Sequence, residues 1–496
     1  LNNAYSIVAV VLVVLATLSI GIYGLRVSRT TSDFYVASRT VSPQLNGSAI
    51  SGEYLSAASF LGVAGLLFAF GSDMLWYPVG YTVGYLFLAA LVAAPLRRSG
   101  AYTLPDFAEA RLESRTVRRI AGVLTVGIGW IYLLPQLQGA SLTLATVTGA
   151  PKWAGGLLVV VVVVSNVVAG GMRSITFVQA FQYWFKLTAL AVPLLFLVCA
   201  WLMHGKARPD AGLAGEAGRF SPFNGMQEYP VYVIYALMIA TFLGTMGLPH
   251  VVVRFYTNPS GREARRTTVV VLALLGVFYV MPPVYAALGR VYNPNLPSDG
   301  NTDAIVLLLP RWMIGGVGGD LLGALLAGGA FAAFLSTSSG LMVSVAGVLS
   351  GARNVRAFRL ATIVAAAVPF AITLLVPGLP AANVVGLAFA VAASSFCPLL
   401  VLGIWWRKLT SVGAAAGLIT GGGSALVAGA VTIARGQESG LLHTLLAWPA
   451  AWSVPLGFGV MVVVSLLTPN HRAPGAARML ARLHLPESVL EGTKRA

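Results

Sequence analysis

Apolar runs long enough to cross a bilayer recur along the whole chain, separated by short polar connectors. A spanning helix needs about 20 mostly apolar residues. Thirteen runs reach or approach that length: roughly 4–25, 46–69, 73–96, 118–148, 153–170, 175–203, 230–256, 266–289, 319–350, 357–376, 381–405, 411–433 and 446–468. The pattern predicts an all-α polytopic membrane protein. The 46–69 run is a poor spanning helix. It carries Gly47, Gly52, Gly62 and Gly65, four serines, Asn46 and the carboxylate Glu53. A charge at the centre of a lone spanning helix costs about 2.5–3.5 kcal/mol on insertion scales. Glu53 is therefore expected to face protein or water and to mark a functional site. Glycines beside small hydroxyl residues let a helix unwind and bare its carbonyls.

A second run, 230–256, is interrupted by Gly244, Gly247 and Pro249. Pro249 has no N–H to donate and disturbs the turn before it. Four spans separate the two interrupted runs, so they cross in opposite directions. Five helices from 46 and five from 230 then form an inverted repeat, each half opening on a broken helix. That arrangement points to a secondary transporter with its site at the midplane. The expected units are a leading helix and loop over 1–45, a transport core over 46–405, trailing helices over 406–468 and a tail over 469–496. Within the core, the repeats span 46–203 and 230–405.

Charge orients this plan. If 26–45 is cytoplasmic, that side gathers most of the 32 Lys and Arg residues, among them Arg97, Arg98, Arg118, Arg119, Arg254, Arg262, Arg265, Arg407 and Lys408. Basic loops stay inside, which puts the N-terminus outside and the C-terminus in the cytoplasm, in the plasma (inner) membrane. The net charge of +16 thus lies in short loops beside the bilayer, and no nucleic-acid partner or obligate protein partner is implied. The bilayer itself is the expected surrounding. Leu1–Tyr23 has no basic n-region or cleavage-like site and reads as a span rather than a signal peptide. Cys199 and Cys397 make no metal motif. With no His/Cys/carboxylate cluster of nucleophile or metal type, an enzyme is not expected. The outer loops 204–229 and 290–318 are read as solvated connectors or parts of an outer gate, with Ala304–Met313 along the outer surface. The Arg- and Leu-rich tail is read as an amphipathic helix on the inner leaflet.

Ser336, Thr337, Ser338 and Ser339 sit together in the apolar 319–350 run. Ala333, Ser336 and Thr337 share one helix face. Two hydroxyls and a carbonyl suit a weakly held alkali cation, since a tight divalent site needs more carboxylates. Ser and Thr also bond back to the i−4 carbonyl and bend helices; the sequence leaves both readings open.

The motifs SDFYVASRTVSP, SGEYLSAASFLGVAG, YTLPDFAEARL, GGMRSITFVQAFQYWFK, GTMGLPHVVVRFYT and FLSTSSGL, in this order, resemble the solute:sodium symporter family. EYLSAASFLG and GLPHVVVRFYT are closest to its cation/acetate (monocarboxylate) subgroup. The resemblance covers about 30–470. It implies a LeuT-like five-plus-five core and Na+ between the first and eighth core helices. The ligands it implies are the carbonyls of Gly52, Leu55 and Ala333 and the hydroxyls of Ser336 and Thr337. Where many relatives carry Asp after the GG motif, this chain has Gln179. Glu53, Gln179 and Lys186 are the coupling candidates. Glu53 is open to tuning the ion, taking a proton, or pairing with Lys186 or Arg173.

A small carboxylate suits the breaks, because half-helix N-termini present free N–H groups and a positive dipole end. The expected lining is Ser51, Tyr54, Ser56, Ser59, Gly244 and Thr245, together with Gln136 on the fourth span and Ser394 and Ser395 on the eleventh. His250 is expected to be structural. The function implied is sodium-coupled symport of a small monocarboxylate of the acetate, propionate or pyruvate class. Sodium- or proton-coupled symport of another small solute, such as an amino acid or larger organic acid, stays open, as does a solute sensor or channel.

Overall fold

The computed structural model describes residues 3–28, 30–205, 228–293, 302–351, 354–376, 381–435 and 439–487. Among them the regular structure is helical. In chain order the helices are α1 (Asn3–Val27), α2 (Thr31–Val36), α3 (Pro43–Tyr54), α4 (Val63–Phe70), α5 (Trp76–Leu91), α6 (Ala93–Ser99), α7 (Leu104–Leu112) and α8 (Arg115–Thr148). Then come α9 (Lys152–Met203), α10 (Pro230–Gly247), α11 (Pro249–Val253), α12 (Gly261–Tyr279), α13 (Met281–Tyr292), α14 (Ile305–Met313) and α15 (Gly316–Ser350). The chain continues through α16 (Val355–Leu375), α17 (Ala381–Trp405), α18 (Ser411–Gly417), α19 (Ser424–Arg435), α20 (Leu441–Ala447), α21 (Ala450–Leu467) and α22 (Ala476–His484).

Among the described residues, eleven helical segments are long and apolar enough to cross a membrane, or twelve with the bent pair of α3 and the stretch Ala58–Phe70. At about 1.5 Å per residue, the 52 residues of α9 would reach more than twice the ~30 Å hydrocarbon core. Gly171 breaks it, with φ 56° and ψ −149°. Its two arms match the separate 153–170 and 175–203 runs. Several helices start where a side chain caps them: Ser42 accepts from Leu45 N–H, Thr103 from Asp106 N–H and Ser260 from Glu263 N–H. These caps fall in the short connectors, which is where orphan N–H groups need an acceptor.

α15 and α17 form the centre, with most of their apolar windows buried, while α1, α16 and α21 keep most of theirs outward. Their outward residues include many Leu, Val and Ile, such as Leu12, Leu360, Leu375 and Val463. An apolar exterior of this kind matches lipid. Around the centre, α3, α8 and α9 pack on α15, and α5, α8 and α10 pack on α17 or on one another.

Three expectations change here. The tail helix α22 is amphipathic, but its apolar residues Met479, Leu480 and Leu483 are buried on protein, against α6 and α7, rather than turned to lipid. Ala304–Met313 does not lie loose along the surface: α14 buries Ile305, Val306, Leu307 and Leu309 against α13, α15 and α4 and leaves Arg311 exposed. Arg254 does not belong to the solvated basic loops, because it is fully buried. Most of the 204–229 connector, residues 294–301 and the last residues of the tail lie outside the described residues.

Candidate functional site: an unwound helix and its partners

The break after α3 can be accounted for group by group. α3 ends at Tyr54, and Leu55 leaves the helical region with φ −74° and ψ 80°. The chain bends by 70° and resumes through a π-turn at Ala58–Gly62. Ser56 N–H turns back to Tyr54 O at 2.9 Å, so it no longer serves Gly52 O. Ala57 N–H, which would serve Glu53 O, donates instead to Gln136 Oε1 at 3.0 Å. Buried main-chain groups must find partners, and side chains supply them. Glu53 O accepts from Thr337 Oγ1 at 2.5 Å. Gly52 O and Leu55 O both accept from Lys186 Nζ, the latter at 2.8 Å.

Lys186 Nζ also donates to Ser336 Oγ at 2.9 Å. An ammonium has three protons, and all three are used. Ser336 Oγ donates in turn to Ala333 O at 3.0 Å. The five residues expected to hold a cation are thus gathered between α3 and α15. Three of their oxygens meet at one point, and the Lys186 ammonium stands there. The oxygens are hard donors of low charge, the chemistry an alkali cation takes.

A polar chain leads away from this point. Gln179 Nε2 donates to Ser336 O at 2.7 Å, and its Oε1 accepts from Arg254 Nη2. Arg254 Nε donates to Glu53 Oε2 at 2.6 Å, and Nη1 to Thr176 Oγ1 at 3.0 Å. Thr176 lines a cleft of about 170 Å³ with Ala37, Thr40, Val41, Leu45 and Arg173. Glu53 therefore pairs with Arg254, not with Lys186 or Arg173; Arg173 pairs with Asp33 at 2.7 Å. Close packing fixes the frame. A Cβ on Gly52 would lie 2.2 Å from Gln179 O, so only glycine lets α3 meet α9 this closely.

The second break is milder. Leu248 alone leaves the helix, with φ −67° and ψ 116°, between Gly247 and Pro249. Pro249 leaves the Thr245 carbonyl without its i+4 donor. The two breaks touch: Tyr54 OH and Thr245 Oγ1 lie 2.9 Å apart. Rings surround them. Tyr54 packs edge-on against Tyr81, Tyr85 and Phe389 at 5.8, 5.0 and 6.2 Å between centroids. Tyr279 bonds Ser59 at 2.8 Å, and Tyr132 covers His250 at 5.1 Å. Ser51 Oγ, Tyr85 OH and both ring nitrogens of His250 are buried with no hydrogen-bond partner among the described residues.

Of the expected lining, Ser51, Tyr54, Ser56, Ser59, Gly244, Thr245 and Gln136 lie at or beside the two breaks. Ser394 and Ser395 do not. Ser394 Oγ meets Ser453 of α21 at 2.7 Å, and Ser395 bonds its own helix and packs near Gly422. Both join α17 to the trailing helices. Sequence reasoning missed Arg254 and the rings of Tyr81, Tyr85, Tyr132, Tyr279 and Phe389. Arg254 had one signal: it follows the Pro249 break by five residues, within a run apolar enough to be membrane-embedded.

The family model described as "Sodium:solute symporter family" matches residues 34–421. A protein named "Uncharacterized symporter YwcA" from Bacillus subtilis (strain 168) is 31% identical over 469 residues, covering 89% of this chain and 90% of its own. A "Monocarboxylic acid transporter" from Corynebacterium glutamicum is 31% identical over 445 residues, covering 81% of this chain and 80% of its own. Among solved structures, a substrate-bound, outward-open Na+-coupled sialic acid symporter matches with TM-score 0.73 at 18% identity, over 95% of this chain and 98% of its own. The nucleobase-cation-symport-1 transporter Mhp1, closed around bromovinylhydantoin, matches with TM-score 0.56 at 14% identity, over 92% and 99%.

Proposed function

Because the chain belongs to the sodium:solute symporter family, a LeuT-like fold whose membership supports sodium as the coupling ion, we propose that it carries a small monocarboxylate of the acetate, propionate or pyruvate class into the cell across the plasma membrane. The observation that carries an anionic solute is charge. Lys186 and Arg254 are buried around one buried carboxylate, Glu53. The cluster has one positive charge in excess, and a buried charge is costly unless paired. A monoanion bound at the break supplies the missing partner. The break also offers the N-terminus of the Ala58–Phe70 segment, which favours an anion. The ring wall suits a short apolar tail. The relative named as a monocarboxylic acid transporter supports the same class.

The cycle is alternating access. The anion binds between the two breaks, where Tyr54 and Thr245 link the repeats. The repeats then rock about that link, and the polar chain through Thr176 and the cleft beside it gives the route on the Arg-rich side. One sodium with one monoanion moves no net charge, so the membrane potential, about 2.3 kcal/mol per charge per 100 mV, adds nothing to accumulation. The test is uptake into proteoliposomes under an imposed sodium gradient, with choline as the control. A panel of labelled acetate, propionate, pyruvate and amino acids is offered. Sodium-dependent uphill uptake of short monocarboxylates without current is expected. Uptake confined to amino acids, or current in proportion to uptake, refutes the reading.

A further inference from the structure

The seat between α3 and α15 is filled by the protein's own cation. Lys186 Nζ takes Gly52 O, Leu55 O and Ser336 Oγ together, and the side chain is fully buried. Every proton of the ammonium has an acceptor, and those acceptors are the oxygens a free alkali cation would need. Two like charges cannot share such a seat: at about 4 Å, repulsion dominates even with protein screening. We propose that Lys186 is a tethered occupant of the coupling-cation seat, which sodium enters only by displacing the ammonium. The lysine thereby sets how tightly this transporter holds sodium.

The surroundings fit that role. Arg254 is engaged by Glu53, Thr176 and Gln179, so it does not compete for the seat. Gln179, where a carboxylate would have attracted a second cation, is neutral and ties Arg254 to the Ser336 carbonyl. Tyr183, one turn before Lys186, is turned away and donates to Leu274 O at 3.0 Å. Glu53, next to Gly52, is the buried anion beside the displaced ammonium. The inference rests on the seat proposed above but not on the solute.

The test is sodium binding to the purified full chain without solute, read by radiolabelled sodium and by melting in sodium against choline chloride. Lys186→Met is expected to lower the half-saturating sodium concentration at least tenfold, about 1.4 kcal/mol. Ser336→Ala added to it is expected to undo that gain, and Lys186→Arg is expected to bind as weakly as the wild type. Lys186→Gln serves if the Met variant does not fold. The proposal is overturned if folded Lys186→Met or Lys186→Gln binds sodium no more tightly than the wild type, or if none of these proteins binds it. Because no solute is present, failure on the monocarboxylate panel leaves this result standing.

Discussion

Replacing Glu53 by Gln tests the charge cluster most directly. The carboxylate is 1% exposed and the Arg254 side chain 0%, and they meet at 2.6 Å. Removing one partner of such a pair costs about 3–5 kcal/mol, because the other charge is left buried. Arg254 keeps Thr176 and Gln179 as acceptors, which pulls the cost toward the low end, about 3 kcal/mol. A kcal/mol shifts melting by about 2–4 °C in domains of 150–250 residues and by less in a longer chain, so a drop of several degrees is expected. Cys397 is fully buried and Cys199 exposed, so on a Cys199→Ser background a thiol-reactive dye reports the exposure of Cys397 as the protein melts. Arg254→Met removes the stranded charge, so the double variant is expected to melt above Glu53→Gln alone. An additive double variant, or a Glu53→Gln protein melting within a degree of wild type, refutes the coupled cluster.

Gly52→Ala drives a Cβ into the Gln179 carbonyl. Overpacking of this kind costs about 1–3 kcal/mol, so a lower melting temperature and lost uptake are expected. Gln136→Leu leaves the buried Ala57 N–H without its acceptor, at about 1–3 kcal/mol; uptake should fall tenfold or more, with the protein still folded by gel filtration. Tyr54→Phe removes the hydroxyl between the two breaks and is expected to raise the half-saturating solute concentration several-fold with modest loss of stability. Asp303, beside Gly65 in the turn before α14, is pushed up to about 6 by burial. A carboxyl raised in the folded state favours folding below its unfolded value near 3.8 and loses that advantage as pH rises through about 6. Asp303→Asn should therefore melt like wild type near pH 4 and above it at pH 7; equal melting curves at both refute the assignment.

Much of the architecture was legible in the chain because a bilayer leaves few options. Backbone groups in lipid must be satisfied within a helix, so apolar runs such as 357–376 and 381–405 could only be spans. The same rule made the 46–69 run conspicuous: glycines, serines and a carboxylate in lipid need a reason. Pro249 advertised the second break by its missing donor. That Gly52, Leu55, Ala333, Ser336 and Thr337 gather between α3 and α15 was legible through the family resemblance of their motifs; helix face by itself joined only Ala333, Ser336 and Thr337.

Partner choice across the bundle was beyond the sequence, because contacts between residues far apart in the chain depend on how helices rotate and pack. Glu53 pairs with Arg254, 201 positions away, and the one local hint that this arginine is buried, its place in an apolar run just after Pro249, named no partner. The tail looked lipid-facing until α6 and α7 covered it. Ser394 and Ser395 resembled site residues, but the rotation of α17 turns Ser394 to α21 and Ser395 toward Gly422. Above all, the chain showed a lysine in an apolar helix and a set of bare oxygens in another. Only folding, which sets α9 against the opened turn of α3 with no side chain on Gly52 to hold them apart, placed the one inside the other.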